Sequence, residues 1–234
     1  MPDTAEIGIR VWGDYACFSR PEFKVERVSY PVITPSAARG VLEAIFWKPE
    51  IRYEIREIQV LRIGGQTTIL RNELESRQGK EPLFIEAERQ QRSSLILKDV
   101  EYLIRGVIRL RSHTKEPIPK YLCQFNRRVE KGQCFHRPYL GTREFAADFG
   151  EVTGQERPEP ISQHLGTMLF DIAFVKANKL ETKETLDFWE HGESRRKVTG
   201  RAHALFFDAK LSEGRLPVPA EKYDELYALE RAHA

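Results

Sequence analysis

Prolines in front of two short amphipathic stretches constrain this chain more than any other feature. In Thr34-Pro35-Ser36 the threonine offers an N-cap hydroxyl and the proline takes the first helical position, where its missing N–H costs nothing. The spacing predicts a helix from Ala37 to about Trp47, with Val41, Leu42 and Ile45 on one face and Pro49 as its stop. Pro117 and Pro119 precede a second helix, about Lys120 to Lys131, which Gly132 closes. Strand patterns flank both. Ile7 to Trp12 alternates, Ile51 to Ile55 and Ile58 to Ile63 lead into the Gly64-Gly65 turn, and Leu95 to Leu110 and Leu140 to Phe149 complete the set. The order strand, helix, strand, strand, helix, strand is the split βαβ, or ferredoxin-like, unit, and the fold class is α+β.

Residues 66–90 are polar without clear period and read as an insertion or mobile loop. Gly150 to Pro160, with two glycines and two prolines beyond the last strand, is the best boundary and divides the chain into residues 1–150 and 151–234. In the second part Thr167 to Val175 and Ala204 to Leu211 read as strands. Ser212-Glu213-Gly214 reads as a hairpin turn returning through Leu216-Pro217-Val218, and Tyr223 to Arg231 as a closing helix. That part is expected to be a small antiparallel sheet. The length, 234 residues, suits one large domain or two small ones, and 41% hydrophobic residues can build a core. No apolar run is long enough for a bilayer, and the first residues do not resemble a signal peptide, so no membrane partner is expected. Cys17, Cys123 and Cys134 are odd in number and lack a C-x-x-C, which points to a reducing cytoplasm.

The charge is concentrated. Between Arg111 and Arg143 lie eight basic residues (Arg111, Lys115, Lys120, Arg127, Arg128, Lys131, Arg137 and Arg143) against Glu116 and Glu130, in a chain whose net charge is only +2. Such a segment is the footprint of a polyanion partner, although charge alone equally describes a solvated basic face. Tyr121, Phe125, Phe135 and Tyr139 are interleaved with the cations, the mixture that holds single-stranded nucleic acid. Phe125 shares a helical period with Leu122 and Val129 and is expected in the core.

Other chemistry is missing from the sequence. There is no P-loop and no G-x-G-x-x-G, and His191-Gly192-Glu193 lacks the P-C-x-x-C that a deaminase requires. Cys134-Phe135-His136 holds too few ligands for zinc, and nothing gathers carboxylates for two-metal catalysis, so no cofactor and no metal site is expected. Lys120 is the more informative residue. At a helix N-terminus it adds a full charge where unpaired N–H groups already favour a phosphate, though an ordinary solvated lysine would look the same.

Six blocks lie in order over the chain: Val11-Trp12-Gly13-Asp14-Tyr15-Ala16-Cys17-Phe18, Ser36-Ala37-Ala38-Arg39-Gly40 through Trp47-Lys48-Pro49, Arg89-Gln90-Gln91-Arg92, Arg127-Arg128, Gly132 through Phe145, and Leu165-Gly166-Thr167-Met168. Together they resemble the CRISPR-associated Cas-five proteins of type I-C systems (the d or c variant). The resemblance implies an RNA-recognition-type, ferredoxin-like N-terminal domain and a β-sheet domain. It also implies an endoribonuclease that binds the stem-loop repeat of the CRISPR precursor transcript. The implied cut is at the stem base, without metal, by attack of the ribose 2′-hydroxyl on the adjacent phosphate. The product is then expected to stay bound by its 5′ handle within a DNA-surveillance complex. Implied partners are therefore repeat RNA and the other complex subunits, with double-stranded DNA as a further candidate. Arg39, Arg89, Arg92, Arg127, Arg128, Lys131, His136, Arg137 and Arg143 are the residues expected on RNA.

The family's catalytic groups are a tyrosine ending the first helix and a Lys-His pair opening the second. By position they fall on Phe46, Lys120 and Tyr121, and only the lysine agrees. Phe46 has no group that can act as acid or base. Tyr121, with an ordinary phenol pKa near 10, would be on the order of 0.1% ionised at neutral pH. The alternative reading is therefore an assembly subunit that binds nucleic acid and cleaves weakly or not at all.

Overall fold

The computed structural model describes residues 3–23, 25–74, 79, 84, 86, 89–176, 185–191 and 195–231. Thr34 caps the first helix as its hydroxyl suggests, accepting the Ala37 N–H at 3.2 Å, and α1 runs Pro35–Ile45 with Ala38, Val41, Leu42 and Ile45 buried. Before it lie β1 (Thr4–Ala16) and the short β2 (Arg27–Val28); after it comes β3 (Ile51–Arg62), one continuous strand. β4 (Gly65–Leu74) and the long β5 (Arg89–Leu110) follow. The expected insertion at 66–90 therefore begins as a strand, paired antiparallel with the first half of β5 from Gly65↔Lys98 to Leu74↔Arg89. Its residues alternate between exposed and half-buried, so no apolar period marks it. The backbone ladder holds it instead. Most of the remaining residues of that expectation lie outside the described ones.

α2 (Ile118–Glu130) buries Ile118, Tyr121, Phe125 and Val129, so Phe125 is a core residue as its spacing implies. The strand expected over Leu140–Phe149 shrinks to β6 (Asp148–Gly150) and a single bridge between Tyr139 and Ala146. Gly141 explains the loss. Its φ is +89°, and a Cβ there would sit 1.9 Å from the Cys17 carbonyl oxygen, so the chain turns where an extended strand would continue. The Cys17 N–H then donates to the Leu140 carbonyl at 3.0 Å and pins the loop to the end of β1.

Beyond residue 160 come β7 (Gln163–Lys176), β8 (Leu186–His191), β9 (Arg195–Leu211), β10 (Arg215–Pro217) and α3 (Glu221–Arg231). β8 had no counterpart in the sequence reading. The second sheet has the order β7-β9-β8. The Glu213-Gly214 turn forms with both residues at positive φ, but the returning strand does not stay in that sheet. β10 pairs with β3, giving the first sheet the order β10-β3-β5-β1-β6, with β2 and β4 also on β5. Among the described residues every strand pairing is antiparallel except β2 with β5. The fold is thus mixed α/β with mostly antiparallel sheets.

One apolar core runs through both sheets, from Ile9, Val11 and Ile104 to Met168, Phe170 and Leu216. Phe170 meets Tyr223 of α3 edge to face at 4.7 Å. Each such side chain contributes about 1.5–3 kcal/mol by leaving water. No helix among the described residues is long and apolar enough to cross a membrane.

Candidate active site

Two adjacent residues of α2 face opposite ways. Lys120, in the first turn, has its side chain 48% exposed, with Nζ 3.2 Å from the Glu116 carboxylate. Tyr121 falls on the buried face and is 4% exposed. Burial raises its phenol pKa above the usual value, and the carboxylates of Glu50 and Glu116 add to the effect. Its phenolate is therefore scarcer than in free solution, and Lys120 does not reverse that. No side chain caps α2, whose N-cap is Pro117, and no acidic residue occupies its first turn, so the helix end keeps its partial positive charge.

Phe46 sits one residue past α1 and is 1% exposed. Its surroundings are structural. Its carbonyl accepts the Tyr53 hydroxyl at 2.5 Å, and the Arg128 guanidinium lies 5.3 Å over its ring. Arg128 Nη1 also donates to the Ile45 carbonyl at 2.6 Å, while the Phe135 and His136 N–H groups donate to the Ala44 carbonyl at 2.8 and 3.2 Å. The last carbonyls of α1, which have no partner within their own helix, are thus satisfied by α2 and the segment after it. Gly132 makes this geometry possible. At φ +61° it ends α2, lets Gln133 N–H reach the Arg128 carbonyl at 2.8 Å, and turns the chain back toward α1.

The residues expected on RNA divide by environment. Arg39 is bound to Asp171 through Nε and Nη2 at 2.7 and 2.8 Å, and to Glu43 at 2.7 Å, joining α1 to β7. Arg128 is held as described. Arg137 pairs with Asp148 at 2.6 Å, both groups well exposed. Arg92 lies 3.3 Å from Glu73 and also contacts Gln90. Arg89, Arg127, Lys131 and Arg143 are exposed and make no ion pair among the described residues. His136 is exposed and stacks on Tyr139 (6.5 Å between centroids, 20° between planes), beside a Phe135 that is 67% exposed. Phe46, Arg128 and His136 are thus brought together at the end of α1. No hydrogen bond, ion pair or ring contact among the described residues joins Lys120 to them.

Sequence reasoning overlooked Arg71. Its guanidinium reaches Glu144 and Glu73, each at 2.9 Å, and Arg27 approaches the same two carboxylates at 3.6 and 3.7 Å. With Arg92 opposite Arg71 in the ladder, three arginines share two glutamates toward the outer end of the β4–β5 arm. Only the bare charges in residues 66–74 hinted at this.

Residues 7–219 match the family model described as CRISPR-associated protein (Cas_Cas5). The chain belongs to the Cas5d family. A Cas5d relative from Thermus thermophilus, named CRISPR pre-crRNA endoribonuclease, is 57% identical over 98% of both chains. Another of the same name, from Mannheimia succiniciproducens, is 43% identical over 74% of this chain and 87% of its own. Among solved structures, one described as a CRISPR-associated protein superposes with a TM-score of 0.62 at 20% identity, covering 93% of each chain. A functionally uncharacterized Streptococcus mutans protein gives the same TM-score at 19% identity, covering 93% of this chain and 94% of its own. These two likenesses concern the Cas5d fold alone.

Proposed function

We propose that this Cas5d protein matures CRISPR guide RNA: it binds the repeat stem-loop of the precursor transcript, cuts at the base of the stem and stays on the 5′ handle as a subunit of the type I-C surveillance complex. The observation that carries the reading is 57% identity, over 98% of both chains, to a protein named as a pre-crRNA endoribonuclease. The exposed Arg127, Lys131 and Arg143 beside Phe135, His136 and Tyr139 support it, since cations meet phosphates and rings meet bases in such a mixture. The β6-β1-β5-β3 order, with α1 joining β1 to β3 and α2 joining β5 to β6, supports a ferredoxin-like unit over residues 1–150 and a β-sheet unit over 151–234.

In the proposed reaction the 2′-hydroxyl oxygen attacks phosphorus and the bond to the 5′ oxygen breaks. One proton leaves the 2′-hydroxyl for a base and another reaches the departing 5′ oxygen, leaving a 2′,3′-cyclic phosphate and a 5′-hydroxyl, with no metal taking part. Lys120, exposed at an uncapped helix end, is the group for the charge that develops on the phosphorane oxygens. Its pair with Glu116 is a surface pair worth no more than about 1 kcal/mol, so a phosphate can displace it. Tyr121, protonated at neutral pH and turned toward the core, does not serve as the base. Phe46 serves packing. Incubating the protein with repeat RNA and a chelator, then mapping the product ends, tests the reading: a single cut with a cyclic phosphate and a 5′-hydroxyl is expected. A requirement for magnesium or manganese would overturn the proposed chemistry. Burial of Phe46 and Tyr121 favours the second reading, an assembly subunit with weak cleavage. Tight binding of repeat RNA with no product at any time would establish it.

A further inference from the structure

A cleft of about 510 Å³ opens between the end of α1, the face of the second sheet and α3, well inside the size range of small-ligand sites. Six aromatic rings line it: Tyr53 and Tyr227 toward α3, and Trp47, Phe174, Phe188 and Trp189. Phe174 and Phe188 lie 5.4 Å apart, yet Phe174 stays 39% exposed and Trp189 49% exposed, although the molecule has an extensive core. Large exposed rings gathered in a concavity mark a binding surface.

Arg39, Arg52, Arg111, Arg231 and Lys176 also line the cleft, against the carboxylates of Glu43, Asp171 and Glu230, so its charge is net positive. Arg52 pairs with Glu230 at 2.8 Å and lies 4.5 Å over the Tyr227 ring. Arg111 makes no ion pair among the described residues, its Nε donating to the Ile51 carbonyl at 3.4 Å. Burial, with the nearby Arg52 charge, lowers the Arg111 pKa to about 10. It is still a cation at neutral pH; Glu230 and Glu43 offset the burial and the Arg52 repulsion only in part, and an anion placed against Arg111 offsets more of both. Arg39, on the same wall, is already committed to Asp171 and Glu43.

We propose that this cleft is a nucleotide subsite, in which an unpaired base of the bound RNA stacks on Phe174 and Trp189 while its phosphate lies against Arg111 and Arg52. Its place in the fold suits a strand flanking the cleaved stem. The Arg111 N–H and the Thr114 hydroxyl both bind the Glu50 carbonyl, at 2.8 and 2.7 Å, in the loop that leads directly into the helix bearing Lys120. The inference rests on the RNA-binding reading above.

Two of the three tryptophans of the chain line the cleft, which gives a direct test. In a Trp12→Phe protein, titration with an oligouridylate hexamer is expected to quench the remaining tryptophan fluorescence saturably. Trp189→Ala and Arg111→Ala, made in that background, should each weaken hexamer binding about 10-fold, the scale of one lost stacked base. Trp189 is half-exposed, so its removal leaves the thermal melt in place, and repeat stem-loop RNA should still bind with a smaller loss. Hexamer affinity unchanged in both variants, or no quenching while wild-type protein binds the stem-loop RNA, overturns the subsite and leaves the proposed function standing. Failure of the wild-type protein to bind stem-loop RNA at all sinks the RNA reading itself.

Discussion

Arg127 and Arg128 are neighbours in sequence and opposites in structure. Arg127 is exposed on α2 without an ion pair among the described residues, while Arg128 is spent on the Ile45 carbonyl and the Phe46 ring. The same division separates Arg39, fixed between Asp171 and Glu43, from Lys131 and Arg143 on the open segment. A cation counts toward a polyanion partner only after the fold has taken what it needs. Where helix ends and buried carboxylates require guanidinium groups, part of a basic sequence becomes scaffold.

The division can be broken most forcefully at Arg39. Arg39→Ala leaves Asp171, whose side chain is only 4% exposed, without its partner. Losing one half of such a pair costs about 3–5 kcal/mol, so a fall in Tm of roughly 10 °C is expected in a thermal melt, with unchanged RNA affinity of the folded protein. A normal melt with weakened RNA binding would instead move Arg39 to the open set. Lys120→Ala comes next. Single-turnover cleavage at saturating enzyme should slow on the order of 10²–10³-fold, with binding altered only a few-fold, because the charge acts mainly in the transition state. Equal losses in binding and rate would make Lys120 an ordinary phosphate contact.

Arg128→Ala should cost about 1–3 kcal/mol in urea unfolding, since it uncovers a helix carbonyl that Arg128 now satisfies. Arg127→Ala should leave unfolding untouched and flatten the slope of log affinity against log salt by about 0.7–0.9. Interchanged results would invert the comparison. The smallest effect is expected at Tyr121. Its pKa is raised in the folded protein, so the phenol stays protonated throughout pH 5–9 and ionises only above its ordinary range. Tyr121→Phe should therefore leave the shape of the rate profile against pH unchanged over that window. A break that disappears in the variant would show that the phenol titrates there.

Much of the fold was legible because its signals are local. Thr34 with Pro35, and Gly132 after a helical period, mark ends that neighbouring residues decide on their own. β4 was illegible because its half-buried face carries Arg71 and Glu73 while Leu70 and Leu74 face solvent, so no hydrophobic period marks it, and its order comes from a ladder to residues 15 to 33 positions away. Leu140–Phe149 misled in the opposite sense: its apolar residues look like a strand, but Gly141 against Cys17 decides the turn. The site was legible in kind and not in detail. Cations and rings between 111 and 143 could be counted, but whether Arg39 is available depends on Asp171, 132 residues later. Lys120 and Tyr121 could be singled out, and helical spacing, had it been extended from Leu122 and Phe125 to Tyr121, would have put the phenol on the inner face.

The placement of β10 has a consequence for how this molecule is made. Residues 215–217 close the β3 edge of the first sheet, and Val60 N–H waits for the Gly214 carbonyl at 2.8 Å. On the ribosome, everything up to β6 emerges while that edge still presents open hydrogen-bonding groups. An uncovered edge recruits strands from other chains. Synthesis of the second sheet therefore sets a waiting time during which nascent chains are adhesive, and the short β10 strand ends it. A chain released early, before residue 215, would carry the basic segment intact and still be prone to aggregate.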